Sequence, residues 1–286
     1  MPETDDLIAL VASWWPEVDV SNAVVHSGMS HDVVVVPGAV AVRFARTVQA
    51  QVELRRSAAL LSVLAHARLP FAVPCPWSEI VSRDGTTALA TRFLPGAPRP
   101  VPDPGLADPA TLRETLEAIA AVPLADVAGA VGTLRDVAGG PEWAAAARRH
   151  LMPQLAPPEA ELVSASIEAA ERLAPPQAPV LVHGDLAGSN LLWDGERLVG
   201  VLDWDLAFAG DQAYDVACLA DGFGWRVLEG VLDPVVVDRA RTYRDVFLIE
   251  SYLANRHRGA ESAAGDMLRL LRRQLSLGST APPTPA

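Results

Sequence analysis

The 286-residue chain contains no lysine, so all 23 of its cationic side chains are arginines. That absence excludes a P-loop of the GxxxxGK[ST] type, Schiff-base chemistry and a lysine general base. Cysteine is scarce: Cys75 and Cys218 lie far apart without metal-ligand spacing, and read as two buried free thiols outside any mechanism. Positive charge is in deficit, with a net charge of -12. This argues against nucleic acid as the main ligand, because phosphate backbones are held by clustered cations, and is compatible with a cationic small molecule. No apolar run approaches the roughly 20 residues of a membrane span. The start, MPETDDLIAL, carries acids where a secretory signal carries bases, so the expectation is a cytoplasmic protein with no membrane partner.

What is present is a globular composition, half of it hydrophobic, in a chain long enough for two lobes. "DVVVVPGAVAVRFAR" gives two β-branched runs around Pro37-Gly38, a hairpin signal. Val52, Leu60, Leu61 and Leu64 then mark a helix, and Asp84-Gly85 a second hairpin, ending at Pro95-Gly96. The proline-dense 97–108 reads as a connector. Helical patterns follow over 109–122, 141–152 and 158–173, then short strands at 180–182, 191–193 and 198–202, the last two joined at Asp194-Gly195. Residues 212–275 read as helices, before a tail expected to be disordered.

"LVHGDLAGSNLLWDGERLVGVLDWDLAFAGD", residues 181–211, sets polar groups among core-forming residues. Asp185 and Asn190 lie five residues apart on a segment leaving a strand, and Asp203 follows a strand thirteen residues later. A hairpin between them brings the three together. Magnesium is a hard cation that keeps waters and takes one or two protein oxygens beside phosphate, a role that suits Asn190 and Asp203. Asp185 is then placed to accept a proton from a hydroxyl beside the metal-bound phosphate. Two other readings fit parts of the pattern. An apolar strand ending in D-x-D also suits a haloacid-dehalogenase-like phosphatase with Asp203 as nucleophile, although the lysine that chemistry needs is missing. A non-catalytic binder would tend to have lost the three residues, which are all present.

"HGDLAGSN" followed by "LDWD" resembles the catalytic core of the aminoglycoside phosphotransferases, themselves similar to protein kinases with H-R-D-x-x-x-x-N and D-F-G. The resemblance extends over about residues 24–275. The phrases "VRFART", "LPFAVPCP" and "PEWAAAARRHLMPQL" are most similar to the branch that includes viomycin and capreomycin phosphotransferases.

The resemblance implies an α+β, bilobal protein-kinase-like fold: a small N-terminal lobe (1–96, hinge about 91–96) with an antiparallel sheet and one main helix, and a larger, mostly helical C-terminal lobe (97–277), with 278–286 as tail. It makes Asp185 the base, Asn190 and Asp203 the Mg2+ ligands, His183 the brace of the loop and Asp215 a structural acid bonded to that loop. It implies ATP or GTP as co-substrate, gripped by Arg43, whose partner on the next helix would be Glu53. The nucleotide loop would be Ser27, Gly28, Met29 and Ser30, offering backbone amides. Hinge backbone at Arg92, Phe93 and Leu94, following Thr91, would meet the purine. The acceptor would be a hydroxyl of a cationic antibiotic, an aminoglycoside or a tuberactinomycin-type peptide, bound by acids such as Asp205, Asp211 and Glu250, with Asp238, Asp245 and Glu261 nearby in sequence. A metabolic kinase or a macrolide kinase is the other option.

Overall fold

The computed structural model describes residues 4–28, 30–99 and 108–278. Met29, most of the proline-rich connector and the tail beyond Gly278 lie outside them.

Period-two alternation builds the first sheet. β1 (Val24–Ser27), β2 (His31–Val36) and β3 (Val40–Ala45) run antiparallel, and β2 and β3 turn through Pro37-Gly38 as expected. Val34, Val36, Val42 and Phe44 share one face and pack with Leu7, Val11 and Trp15 around helix α1 (Thr4–Trp14), an element the sequence reading did not assign. The opposite face carries Val33, Val35, Ala41 and Arg43 into a cleft. Alternation alone therefore turns Arg43 away from the apolar layer.

Helix α2 (Val48–Leu64) starts at Thr47, whose hydroxyl accepts the Ala50 amide at 3.0 Å. Its buried stripe is Ala50, Glu53, Leu54, Ser57, Leu60, Leu61 and Leu64. Val52, expected inside, is 55% exposed, because the helix rotates to bury Glu53 one position later. β4 (Val81–Arg83) and β5 (Thr86–Arg92) meet at Asp84 and Gly85, both with positive φ, and complete a five-stranded sheet in the order β1-β2-β3-β5-β4.

The second part is mostly helical. β6 (Ala97–Pro98) leads to α3 (Pro109–Ala120), α4 (Trp143–His150) and α5 (Pro157–Arg172), then β7 (Val180–Val182), β8 (Leu191–Asp194), β9 (Arg197–Val201) and β10 (Phe208–Gly210). α6 (Ala213–Phe223), α7 (Trp225–Glu229), α8 (Pro234–Arg244), α9 (Phe247–His257) and α10 (Glu261–Gly278) follow. β8 and β9 form the hairpin expected between Asn190 and Asp203, with the turn one residue later than read, since Asp194 already pairs with Arg197. β7 pairs antiparallel with β10.

One core joins α3, α6 and the β8–β9 hairpin to Leu60, Leu61 and Leu64 of α2, so α2 is anchored in the second lobe's interior. Another packs α4, α5, α9 and α10. Both cysteines are free, Cys218 buried and Cys75 partly so. Among the described residues no helix is long and apolar enough to cross a membrane.

Candidate active site

His183, Gly184 and Asp185 follow β7, and their loop is anchored from below. Asp215, in the first turn of α6, accepts the amides of His183 at 2.8 Å and Gly184 at 2.9 Å. Burial pushes its carboxyl up to about 7 against the pull of those two bonds. The His183 imidazole is fully buried, with Nε2 2.8 Å from the Leu202 carbonyl, and Nδ1 accepts the Asp185 amide at 3.2 Å. Burial lowers it to about 4, so it is neutral and braces the loop. Gly184 has φ of +82° and a Cβ there would stand 2.2 Å from the Leu206 carbonyl oxygen. Only glycine lets the loop lie so close to the segment carrying Asp203.

Asn190 ends a 3-10 turn (Gly188–Asn190) and donates its Nδ2 to Asp185, at 2.8 Å to the carbonyl and 3.0 Å to Oδ2. Asn190 also lines the cleft. Asp203 sits just beyond β9 in the left-handed conformation, φ 58° and ψ 66°, which costs a non-glycine residue about 1 kcal/mol or more. Asp203 lines the same cleft, with its carboxylate 3.5 Å from Arg43 Nη2. Burial, and after it the charge of Asp203, pushes Asp185 up to about 7. The three residues read from the sequence are thus brought together. β9 pairs antiparallel with β8, and the chain has no lysine to serve the D-x-D phosphatase reading.

The arginine pairing departs from expectation. Arg43 donates to both carboxylate oxygens of Asp205, with Nη1 to Oδ1 at 2.9 Å, and its Nη2 is 3.5 Å from Asp203. Glu53 is buried, but its carboxylate is bonded by Gln49 Nε2 at 3.2 Å and makes no ion pair with Arg43 among the described residues. The reason is position: the 3-10 turn Trp204–Leu206 lies under α2 and delivers Asp205 to the guanidinium first. Burial would raise Asp205, yet Arg43 holds it below the usual carboxylate range. Asp203 is the one pushed up, by desolvation and then by Asp205. Asp205 therefore belongs to the cleft and not to an acceptor site. Arg56, three residues after Glu53, donates to the Asp205 carbonyl at 3.1 Å and to Asp136 at 3.0 Å, tying α2 to the second lobe.

The cleft, about 400 Å3, is walled by Val33, Val35, Ala41, Pro74, Thr91 and Leu202 and floored by Asp185, Asn190 and Asp203. Gly28 and Ser30 line it and Ser27 lines an adjoining groove, but the Gly28 amide is bonded to the His31 carbonyl at 2.8 Å and is not available to a phosphate. At the hinge only Thr91 reaches the wall. The amides of Arg92 and Phe93 bond Cys75 and Ala39, and Leu94 packs near Gly200. The amides of Arg92 and Phe93 are thus taken up by loop and turn carbonyls, and none of Arg92, Phe93 and Leu94 lines the cleft.

A second cavity, about 350 Å3, opens on the other side of Asp185. Of the acids expected to bind an acceptor, only Glu250 lines it, and both its oxygens are committed: Arg135 Nε at 2.5 Å and Tyr214 hydroxyl at 2.9 Å. Asp211 instead caps α6 through the Ala213 amide and pairs with Arg239, a structural role. Asp238, Asp245 and Glu261 do not line the cavity. The sequence reading missed Arg135, Asp136, Asp221 and Arg244, which do. They come from an irregular segment and from two helix faces with no motif to join them. Arg56 alone left a signal, its i+3 spacing from the buried Glu53.

The model of a phosphotransferase enzyme family matches residues 22–271. The chain is 32% identical over 282 residues to viomycin phosphotransferase of Streptomyces vinaceus, covering 91% of this chain and 96% of that protein. The structure of wild-type aminoglycoside 2'-phosphotransferase-IIIa in its GDP complex is similar with a TM-score of 0.78 at 18% identity, covering 97% of this chain and 100% of that one. Macrolide 2'-phosphotransferase type I follows at 0.67 and 21%, covering 94% and 96%. The bilobal kinase-like fold expected from the motifs is the fold of these proteins.

Proposed function

Since the chain belongs to the phosphotransferase enzyme family, we propose that it transfers the γ-phosphoryl group of ATP or GTP to a hydroxyl of a cationic antibiotic, with a viomycin-type peptide the first acceptor to test. The observation that carries this reading is that Asp185 lines both cavities, standing between a nucleotide-sized cleft and an acceptor-sized chamber. A carboxyl near 7 is matched to taking a proton at neutral pH. Asp185 Oδ2 is aligned by Asn190 and orients the acceptor hydroxyl. The hydroxyl oxygen forms the new P–O bond, its proton passes to Asp185, and the bond from the γ-phosphorus to the bridging oxygen breaks, leaving the nucleoside diphosphate.

The donor set fits magnesium. Asn190 Oδ1 and the Asp203 carboxylate are hard oxygens, and among the described residues no group of three His, Cys, Asp or Glu is arranged to hold a metal, so the ion would share its shell with phosphate and water. When bound, it supplies charge neutralisation for the phosphates. Arg43, oriented by Asp205, holds phosphate oxygens from the sheet side, a role its fixed charge and planar fork suit.

The acceptor chamber carries acids and arginines in matched pairs, Arg56 with Asp136, Arg135 with Glu250 and Arg244 with Asp221. Such a wall suits an acceptor with amide and hydroxyl groups as well as amines. The test is nucleoside diphosphate release from magnesium-ATP or magnesium-GTP in the presence of viomycin, kanamycin, hygromycin B or a macrolide. Viomycin-dependent release, lost in Asp185→Ala, is expected. Turnover with none of them would sink the antibiotic assignment.

A further inference from the structure

Three cavities converge on one arginine. Arg258 closes the C-terminal end of α9, just before Gly259 turns the chain with φ of +72°. It lines the nucleotide cleft beside Arg43, Asn190 and Asp203, and it lines the acceptor chamber beside Asp185. It also lines a groove of about 580 Å3 between Gly28, the start of α2 and the α9–α10 turn.

Its bonding state sets it apart. Arg43, Arg56, Arg135 and Arg244 each hold a carboxylate, whereas the Arg258 guanidinium makes no hydrogen bond or ion pair among the described residues. It is only partly exposed. Its charge is felt in the cleft, where, after burial and Arg43, it adds to keeping His31 neutral. The cleft meanwhile sets four carboxyls, Glu53, Asp185, Asp203 and Asp205, against Arg43 and Arg258, and Asp205 already occupies Arg43. A nucleoside triphosphate brings further negative charge to a chain without lysine. Among the described residues lining this cleft, Arg258 is the cation that holds no carboxylate, and it lines both of the cavities that Asp185 lines.

We propose that Arg258 is a catalytic residue that donates its guanidinium hydrogen bonds to the γ-phosphoryl oxygens during transfer, together with Arg43. This rests on the phosphotransfer reading above. Charge that spreads over the equatorial oxygens at the transition state is what a positioned arginine stabilises.

The test compares Arg258→Ala and Arg258→Lys with the wild-type protein, by binding of ADP and of a non-hydrolysable imido analogue of ATP with magnesium, and by turnover. The alanine variant is expected to keep ADP affinity within about twofold, weaken the triphosphate analogue about tenfold and lower kcat about a hundredfold with the acceptor KM little changed; lysine restores part of the loss. Equal weakening of ADP and the analogue would reduce Arg258 to a structural part of the α9–α10 turn and overturn the proposal, as would an unchanged kcat. Should the alanine variant fail to fold, the lysine variant decides on the same two binding constants. Absence of turnover in the wild-type protein would instead count against the function reading, and the binding comparison would still decide on Arg258.

Discussion

At the scale of single residues, the site is a set of carboxyls whose environments push them apart. Asp205 is held ionised by Arg43, while Asp185 is pushed up to about 7. On the proposed roles, Asp185→Ala and Asp203→Ala should each lower kcat by about a thousandfold or more, a loss far larger than any accompanying change in the melting temperature. The revised arginine pairing gives a sharper test. Asp205→Ala leaves Arg43, 14% exposed at its side chain, without its two-pronged partner and with only Asp203 at 3.5 Å, and should cost about 3 kcal/mol in denaturant melts while raising the nucleotide KM. Glu53→Gln should do much less. A larger effect from Glu53 would restore it as the partner of Arg43.

At the scale of elements, the catalytic loop owes its shape to the start of α6. Asp215 satisfies two buried amides at once, so Asp215→Ala should cost about 2 to 4 kcal/mol in urea unfolding, and Asp215→Asn, which retains an acceptor oxygen, should cost less. Loss of kcat should follow the same order, because Asp185 moves with the loop. Gly184→Ala fails differently: its Cβ meets a carbonyl oxygen at 2.2 Å, so either the loop or the DWD turn must shift. Alanine at 184 that left activity intact would contradict the close approach described here. The α2 helix is legible in the sequence only in part. Its existence was legible from the leucines, but its rotation was not, because Val52 and Glu53 compete for one inward position and the 3-10 turn against α2 settled it.

At the scale of the molecule, two buried neutral histidines couple stability to pH. His183 and His31 are both lowered to about 4, chiefly by burial, with Arg43 adding at His31. The unfolded chain takes up protons near 6.5 and the folded one resists until about 4, so the stability these groups confer is present above 6.5 and lost as pH falls between those values. At about 1.4 kcal/mol per unit the loss is of the order of 3 kcal/mol for each. Asp185 and Asp215, both raised to about 7, act in the opposite sense over the same range. His31→Gln should therefore lessen the acid-side loss by about 1.4 kcal/mol per unit relative to the wild-type protein in melts between pH 7 and 4. An unaltered slope would mean that His31 is already charged in the folded protein. The lobes are also joined at this scale, through α2 leucines in the second core and Arg56 bridging to Asp136 and the Asp205 carbonyl. Arg56→Ala should therefore impair turnover through misplacement of Asp205 while the N-terminal sheet stays intact.

Both hairpins of the first sheet, the run of helices after the connector, and the trio Asp185, Asn190 and Asp203 are legible in the sequence. These rest on local signals, strand alternation, turn residues and a short hairpin within some twenty positions, although the Asp185 loop also needs Asp215 of α6 to hold two of its amides. Tertiary structure alone decided that Asp205 and not Glu53 holds Arg43, that Asp211 caps a helix, and that the hinge amides are already used. It also brought Arg135, Asp136, Asp221, Arg244 and Arg258 around one chamber. Each depends on which of several equally suitable charged side chains arrives at a given point when helices pack, and that is set by the rotation and spacing of elements far apart in the chain.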